Sequence, residues 1–319
     1  MFGKISRNAA VVWDDFWFSR SDPFCLAIIR AFAGGIIFYT HVVWTIELES
    51  FFSSDQILPV EHHQLISGSS FVWSHFYWMP SFSAAIVAHY IGLVAMLFFC
   101  IGFLTRYSGI LTLFFAISYA NRAIGATFGL DQLNVMLALY CVLGPSGSAF
   151  SVDRILHVRR EKKRLLENRS GTHDLQTTNE PGSVLATVAL RCIQIHLCVI
   201  YLFAGWGKLL GSTWWNGEAV WGAFANSEYQ TIDLTWLAAF PFLINAMTLV
   251  SLVWEVSYVF LIWPQWSRPI MLFLAVSVHL GIGLAMGMME FGLIMVTANI
   301  AFVSPKLLRR ITGCGAVNF

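Results

Sequence analysis

Lys208 is the side chain whose setting invites chemistry. It ends the run Tyr201-Leu-Phe-Ala-Gly-Trp-Gly-Lys208 at the close of a long apolar stretch, with Trp214 and Trp215 shortly after it. A lysine amine that sheds its proton in a partly dry, aromatic setting can act as a general base toward a phenol-like or quinol hydroxyl. Gly205, Gly207 and Gly211 allow close backbone approach around it, and Trp206, Trp214 and Trp215 mark a membrane–water boundary. The alternative is a lysine that anchors a helix end at that boundary.

Glu255, in Ser251-Leu-Val-Trp-Glu255-Val-Ser-Tyr258, and Asp131, beside Gln132, are carboxylates placed in apolar surroundings. Each is costly there unless paired or hydrated. Glu255 is a candidate proton or anion site, or else half of a buried pair with Arg30 or Arg191. Asp131 is a candidate acid, or else a helix start, since Gly129-Leu precedes it and an apolar run follows. His41, His89, His196 and His279 also fall in apolar runs. Two such imidazoles on different helices can ligate a b-type haem or shuttle protons, and a lone one is a hydrogen-bonded packing residue. The six cysteines show no C-x-x-C spacing and read as small buried hydrophobes, with neither a disulfide framework nor a metal site.

These residues need elements that hold them in a bilayer. Of the 319 residues 57% are hydrophobic and only 12% charged, with mean hydropathy +0.66, which excludes a water-soluble domain. Apolar runs approach or reach the roughly 20 residues that a helix needs to cross a hydrocarbon core about 30 Å thick. The expected spans are Phe24 to Ile46, Phe82 to Leu104, Tyr107 to Asn121, Asp131 to Pro145, Val184 to Trp206, Phe242 to Trp263, Pro269 to Gly287 and Glu290 to Val303. The third, fourth and eighth are short and suit tilted spans, half-spans or buried helices. The first run is too long for a cleavable signal and lacks an Ala-x-Ala-like site. Val11 to Phe18, rich in Trp and Phe, reads as an interfacial helix. Gly34 with Gly35, and Gly283 with Gly287, are expected at helix contacts. The fold class is therefore an all-α transmembrane bundle of about eight spans, and the chain reads as one domain over 1–319.

Cytoplasmic segments carry the excess of Lys and Arg. With the N-terminus inside, Lys4, Arg7, Arg20, Arg106, the block from Arg154 to Arg169, Arg268, Lys306, Arg309 and Arg310 all fall on the cytoplasmic side, leaving Arg122 and Lys208 outside. Arg30 and Arg191 lie in helices near the cytoplasmic end, within snorkelling reach. The four intramembrane histidines then lie between the midplane and the external face. Both termini are expected to be cytoplasmic, in a plasma or bacterial inner membrane. Residues 154–183 form a basic linker, part helix and part flexible, whose charge serves topology or meets anionic lipid or a partner.

Arg30-Ala-Phe-Ala-Gly-Gly, Asp55-Gln-Ile-Leu-Pro59, Gly102-Phe-Leu-Thr-Arg106, Gly129-Leu-Asp131-Gln132, Gly144-Pro145 with Ser151-Val-Asp153, Gln194 ahead of the Tyr201 to Lys208 run, Trp214 to Gly217, Trp254-Glu255, Arg268-Pro269 and His279 occur in this order. The series resembles the HTTM domain of the vitamin K-dependent gamma-carboxylase-like family, over nearly the whole chain. The resemblance implies that a lysine after a Phe-x-Ala-Gly helix deprotonates vitamin K hydroquinone. Oxygen then yields a strong base that removes a proton from the gamma carbon of a peptide glutamate, carbon dioxide adds, and the quinone leaves as epoxide. Lys208 matches that lysine. The carboxylases carry a lysine pair where this chain has Gly207-Lys208, a histidine before their fourth span without a clear counterpart here, and a long extramembrane C-terminal portion. A stand-alone, short member is expected.

Three functions remain open from the sequence. The first is an enzyme or binding protein for a reduced, isoprenoid-quinone-like lipid. In it Lys208 is the candidate base, Asp131 and His279 are candidate catalytic partners, and Arg122, Glu255, Trp214 and Gln194 are candidate binding residues. The second is a non-catalytic membrane component of a peptide-maturation or export assembly, with a small peptide or a partner protein. The third is a b-type haem protein. No nucleic-acid partner is expected.

Overall fold

The long apolar runs fold as helices because a bilayer offers backbone N–H and C=O groups no other partners. The computed structural model describes residues 2–52, 72–79, 81–123, 125–167 and 182–314, and among them there is no strand, only an isolated pairing of Ser21 with Ser183. The helices are α1 Phe2–Phe18, α2 Phe24–Trp44, α3 Leu48–Phe52, α4 Phe82–Ile101, α5 Thr105–Arg122, α6 Gly129–Leu143, α7 Val152–Glu167, α8 Val184–Leu209, α9 Ser212–Trp215, α10 Ala219–Phe224, α11 Pro241–Leu261, α12 Arg268–Met286, α13 Met289–Asn299 and α14 Pro305–Ile311. Short 3-10 turns lie at His75–Trp78, Thr235–Ala239 and Ile300–Phe302. The motif Asp55 to Pro59 and the linker from 168 to 181 lie outside the described residues.

Five helices are long and apolar enough to cross a membrane: Phe24–Trp44, Phe82–Ile101, Val184–Leu209, Pro241–Leu261 and Arg268–Ala285. Gly129–Leu143 and Met289–Phe302 are apolar but shorter. Each of the eight expected spans coincides with helix, and α6 stops at Leu143 because Gly144-Pro145 cannot prolong it. Only a third of the hydrophobic window of Pro241–Leu261 is buried within the protein, and Phe242, Val253 and Phe260 on this helix face outward at 85%, 64% and 72% exposure. Such surface would aggregate in water and is ordinary against lipid. The chain is a multi-pass membrane protein.

The chain forms two compact units, Met1–Arg191 with Val303–Phe319, and Cys192–Phe302. In the first, α2 packs on α4 and α6, and α5 packs on α4 and α6. Gly34 permits the α2–α4 approach as expected, because a Cβ there would lie 2.8 Å from the Cys100 Cα. Arg30, fully buried, donates to the carbonyls of Phe99 (3.2 Å) and Phe150 (2.5 Å). Asp153, at the start of α7, accepts from the backbone N–H groups of Leu104 and Thr105 and from the Thr105 hydroxyl, at 2.9, 2.8 and 2.7 Å. Those bonds hold the tight α4–α5 turn, in which Leu104 is left-handed. At the same end Asp22 pairs with Arg309 of α14. The segment from Val11 to Phe18, expected to be an interfacial helix, forms the second half of α1, with Val11, Val12, Trp13 and Phe18 exposed.

In the second unit α12 and α13 form a close pair and α11 packs on α12. Gly292 makes the first contact possible, since a Cβ there would run into the His279 carbonyl. Gly283 meets the Met289 Cα at 3.1 Å by the same measure, whereas Gly287 ends α12 in a left-handed conformation (φ +68°).

Candidate functional site

In the second unit a partly buried ion pair forms where α8 meets α11. A Cβ on Gly205 would lie 3.0 Å from Val256 Cγ2 and 3.2 Å from its backbone nitrogen, so the glycine lets the two backbones close up. Helical side chains lean toward the helix N-terminus, which carries Lys208 back over that contact to Glu255. Its ammonium donates to both carboxylate oxygens, and it lies 5.0 Å from the Trp214 ring centroid, within cation–π range. The Glu255 side chain is 7% exposed and that of Lys208 26%. Gly207 has open space where a Cβ would be, so it contributes no close approach; a Cβ on Gly211 would meet Trp214 at 3.2 Å and the Lys208 carbonyl at 3.6 Å.

Behind the pair runs a buried chain of hydrogen bonds. Tyr201 and His279 share one at 2.8 Å between hydroxyl and Nε2. Asn299 Nδ2 donates to the Tyr201 oxygen (3.1 Å) and to the Met295 carbonyl (2.9 Å), and Tyr258 donates to Asn299 Oδ1 at 2.6 Å. Trp254 packs edge-on against Tyr201 and Tyr258, and its indole N–H donates to the Met271 carbonyl at 3.2 Å. The sequence singles out neither Asn299 nor Tyr258. An amide near the end of an apolar helix was the available signal for Asn299, and a tyrosine one turn from a buried glutamate that for Tyr258.

Of the residues expected in the site, Lys208, Glu255, Trp214 and His279 belong to this assembly. Glu255 pairs with Lys208 and not with the alternatives Arg30 or Arg191. Arg30 is committed to two backbone carbonyls, and Arg191 lies 4.3 Å over the Phe16 ring and donates to the Phe16 carbonyl. Gln194 donates to the Ala301 carbonyl at 2.7 Å, tying α8 to the 3-10 turn after α13. Asp131 and Arg122 belong to the first unit. Asp131 accepts the backbone N–H of Phe128 at 3.0 Å, fastening the start of α6, and Arg122 is buried at the end of α5.

The first unit holds a second polar cluster, around Tyr119. His89 Nδ1 and the Tyr119 hydroxyl are 2.5 Å apart, and His89 Nε2 lies 2.8 Å from the Thr45 hydroxyl. The His41 ring packs edge-on against Tyr119 at 4.7 Å, with Nδ1–H donated to the Ile37 carbonyl at 2.8 Å. His75, in the 3-10 turn, bonds to Ser118 through both its backbone N–H (2.9 Å) and Nδ1 (2.5 Å). Burial among these rings, then the neighbouring His89, pulls the His75 imidazole down to about 4. Nε2 of His89 and of His279 is engaged in a hydrogen bond, the atom that an axial haem ligand would present. No group of three or more His, Cys, Asp or Glu among the described residues is arranged to hold a metal ion.

No family model, curated protein or solved structure matches this chain.

Proposed function

We propose that the chain binds a quinone-like isoprenoid lipid in its reduced form at the Lys208–Glu255 pair, and that Lys208 takes the proton of the ligand's hydroxyl. The observation that carries this reading is a lysine and a glutamate joined on both carboxylate oxygens in a membrane protein, the lysine still partly exposed beside Trp214. A protonated lysine is no base by itself. Shifting its proton to Glu255 leaves a neutral amine beside a neutral acid without separating charge. The amine then removes the hydroxyl proton, and the ligand oxyanion is left against the new ammonium. The ordered motifs that resemble the gamma-carboxylase-like HTTM domain point to the same lysine and the same ligand class; carboxylation or epoxidation would require oxygen and carbon dioxide as further substrates.

The distribution of Lys and Arg supports eight spans with both termini cytoplasmic in a cell membrane, which puts Lys208 at the external face. A second reading rests on the same pair. An ion pair complete in itself also serves a non-catalytic bundle in a peptide-maturation or export assembly. Mass spectrometry of quinones extracted from detergent-purified wild type and Lys208→Ala separates the two. Quinone held by wild type and lost from the variant supports the first. Absence from both sinks it and leaves the assembly role.

A further inference from the structure

The hydrogen-bond chain behind Lys208 has a direction. The Met295 carbonyl can only accept, so the Asn299 atom 2.9 Å from it is the amide nitrogen, and Oδ1 is the atom that receives the Tyr258 hydroxyl. The second hydrogen on that nitrogen goes to the Tyr201 oxygen. Tyr201 is buried, and its own hydroxyl hydrogen has His279 Nε2 as its acceptor at 2.8 Å. An imidazole whose Nε2 accepts carries its hydrogen on Nδ1. That Nδ1 is buried and has no hydrogen-bond partner. His41, also on a helix, gives its Nδ1–H to the carbonyl four residues back; His279 does not.

We infer that His279 is a ligand-binding residue whose Nδ1–H is held ready for an oxygen acceptor, with Tyr201 and Asn299 as the positioning residues that fix its tautomer. The inference rests on the proposed quinone-like ligand and sharpens it. A ligand engaged by both residues gives a hydroxyl to Lys208 and an acceptor oxygen to His279, and so carries two oxygens, as a para-hydroquinone does and a single-hydroxyl ring does not.

Two measurements test this. In protein labelled with ¹⁵N-histidine, the His279 resonances, assigned by their loss in His279→Gln, are expected to show a protonated Nδ1 and a bare Nε2. Tyr201→Phe should release that preference. A wild-type His279 with its hydrogen on Nε2 overturns the assignment whatever the variants do. Binding of 2-methyl-1,4-naphthohydroquinone is then compared with that of 2-methyl-1-naphthol. Wild type is expected to favour the hydroquinone about tenfold or more, since a site built to bond an oxygen rejects the analogue lacking it. His279→Phe should bind both alike, and Lys208→Ala should weaken both. If His279→Phe keeps the full preference, the role of His279 fails and the quinone reading stands. If wild type binds neither compound, both fail together.

Discussion

Replacing Lys208 with methionine removes a charge while keeping the stem that lies along the helix. Glu255 is then an isolated carboxylate, 5% exposed as a residue, on the helix Pro241–Leu261. At about 4 Å and an effective dielectric of about 20 the lost attraction is about 4 kcal/mol, in line with the roughly 3–5 kcal/mol found when one partner of a buried pair is deleted. The converse change, Glu255→Gln, is milder. The ammonium it leaves is 26% exposed and keeps the Trp214 ring, so about 1–2 kcal/mol is expected. Joining the two in Lys208→Met/Glu255→Gln leaves no unpaired charge and should recover most of the stability. Thermal unfolding in one detergent, followed by tryptophan fluorescence, reads these differences. Lys208→Met should lower Tm by on the order of 10 °C, Glu255→Gln by less than half as much, and the double variant should lie above Lys208→Met. Equal losses in the two single variants, or a double variant worse than either, would refute the burial asymmetry on which the reasoning depends.

A cysteine placed at Ser227 should react with a membrane-impermeant maleimide on intact cells, and one at Arg160 only after lysis; the opposite pattern would reverse the proposed orientation. His75 supplies a pH dependence. Its imidazole sits at about 4 when folded against an ordinary 6.5, so the unfolded chain binds the proton first as pH falls. Its contribution is intact above about 6.5, declines through the interval down to about 4, and amounts to at most about 3 kcal/mol. Replacing His75 with glutamine should flatten Tm against pH in that window, and an unchanged slope would assign it to other groups.

Much of the scaffold was legible because bilayer crossing imposes length and composition, so α2, α4, α8, α11 and α12 can be traced from apolar runs. The second half of α1 was equally plain, from a Trp- and Phe-rich segment beside basic residues. The site was legible only in part. Lys208 was conspicuous as a cation outside the basic segments, and Glu255 as a carboxylate among apolar residues, but their union was not. Partners 47 residues apart meet through helix packing, and periodicity does not say which helices touch. Asp131 read either as a candidate acid or as a helix start; it accepts the Phe128 N–H at the start of α6, and one carboxylate there serves either purpose. The Tyr201–Asn299–Tyr258 chain stayed hidden, since tyrosine and asparagine are unremarkable near helix ends until their hydrogen bonds can be traced.

The bonds made by Arg30 bear on how the protein is made. Its two acceptors, the carbonyls of Phe99 and Phe150, lie 69 and 120 residues further along the chain. At ribosomal speeds of about 5–20 residues per second, the second acceptor emerges some 6–24 s after the arginine. During that interval the first long helix carries an uncompensated guanidinium, and a mid-helix arginine costs about 2.5–3.5 kcal/mol in translocon-mediated insertion. Because Arg30 lies in the second turn of its helix, the side chain can reach headgroup water while it waits. Biogenesis of this half is thus ordered by one residue: α2 is free to slide until the end of α4 and the segment leading into α7 have been synthesised, and capture of Arg30 then fixes its depth.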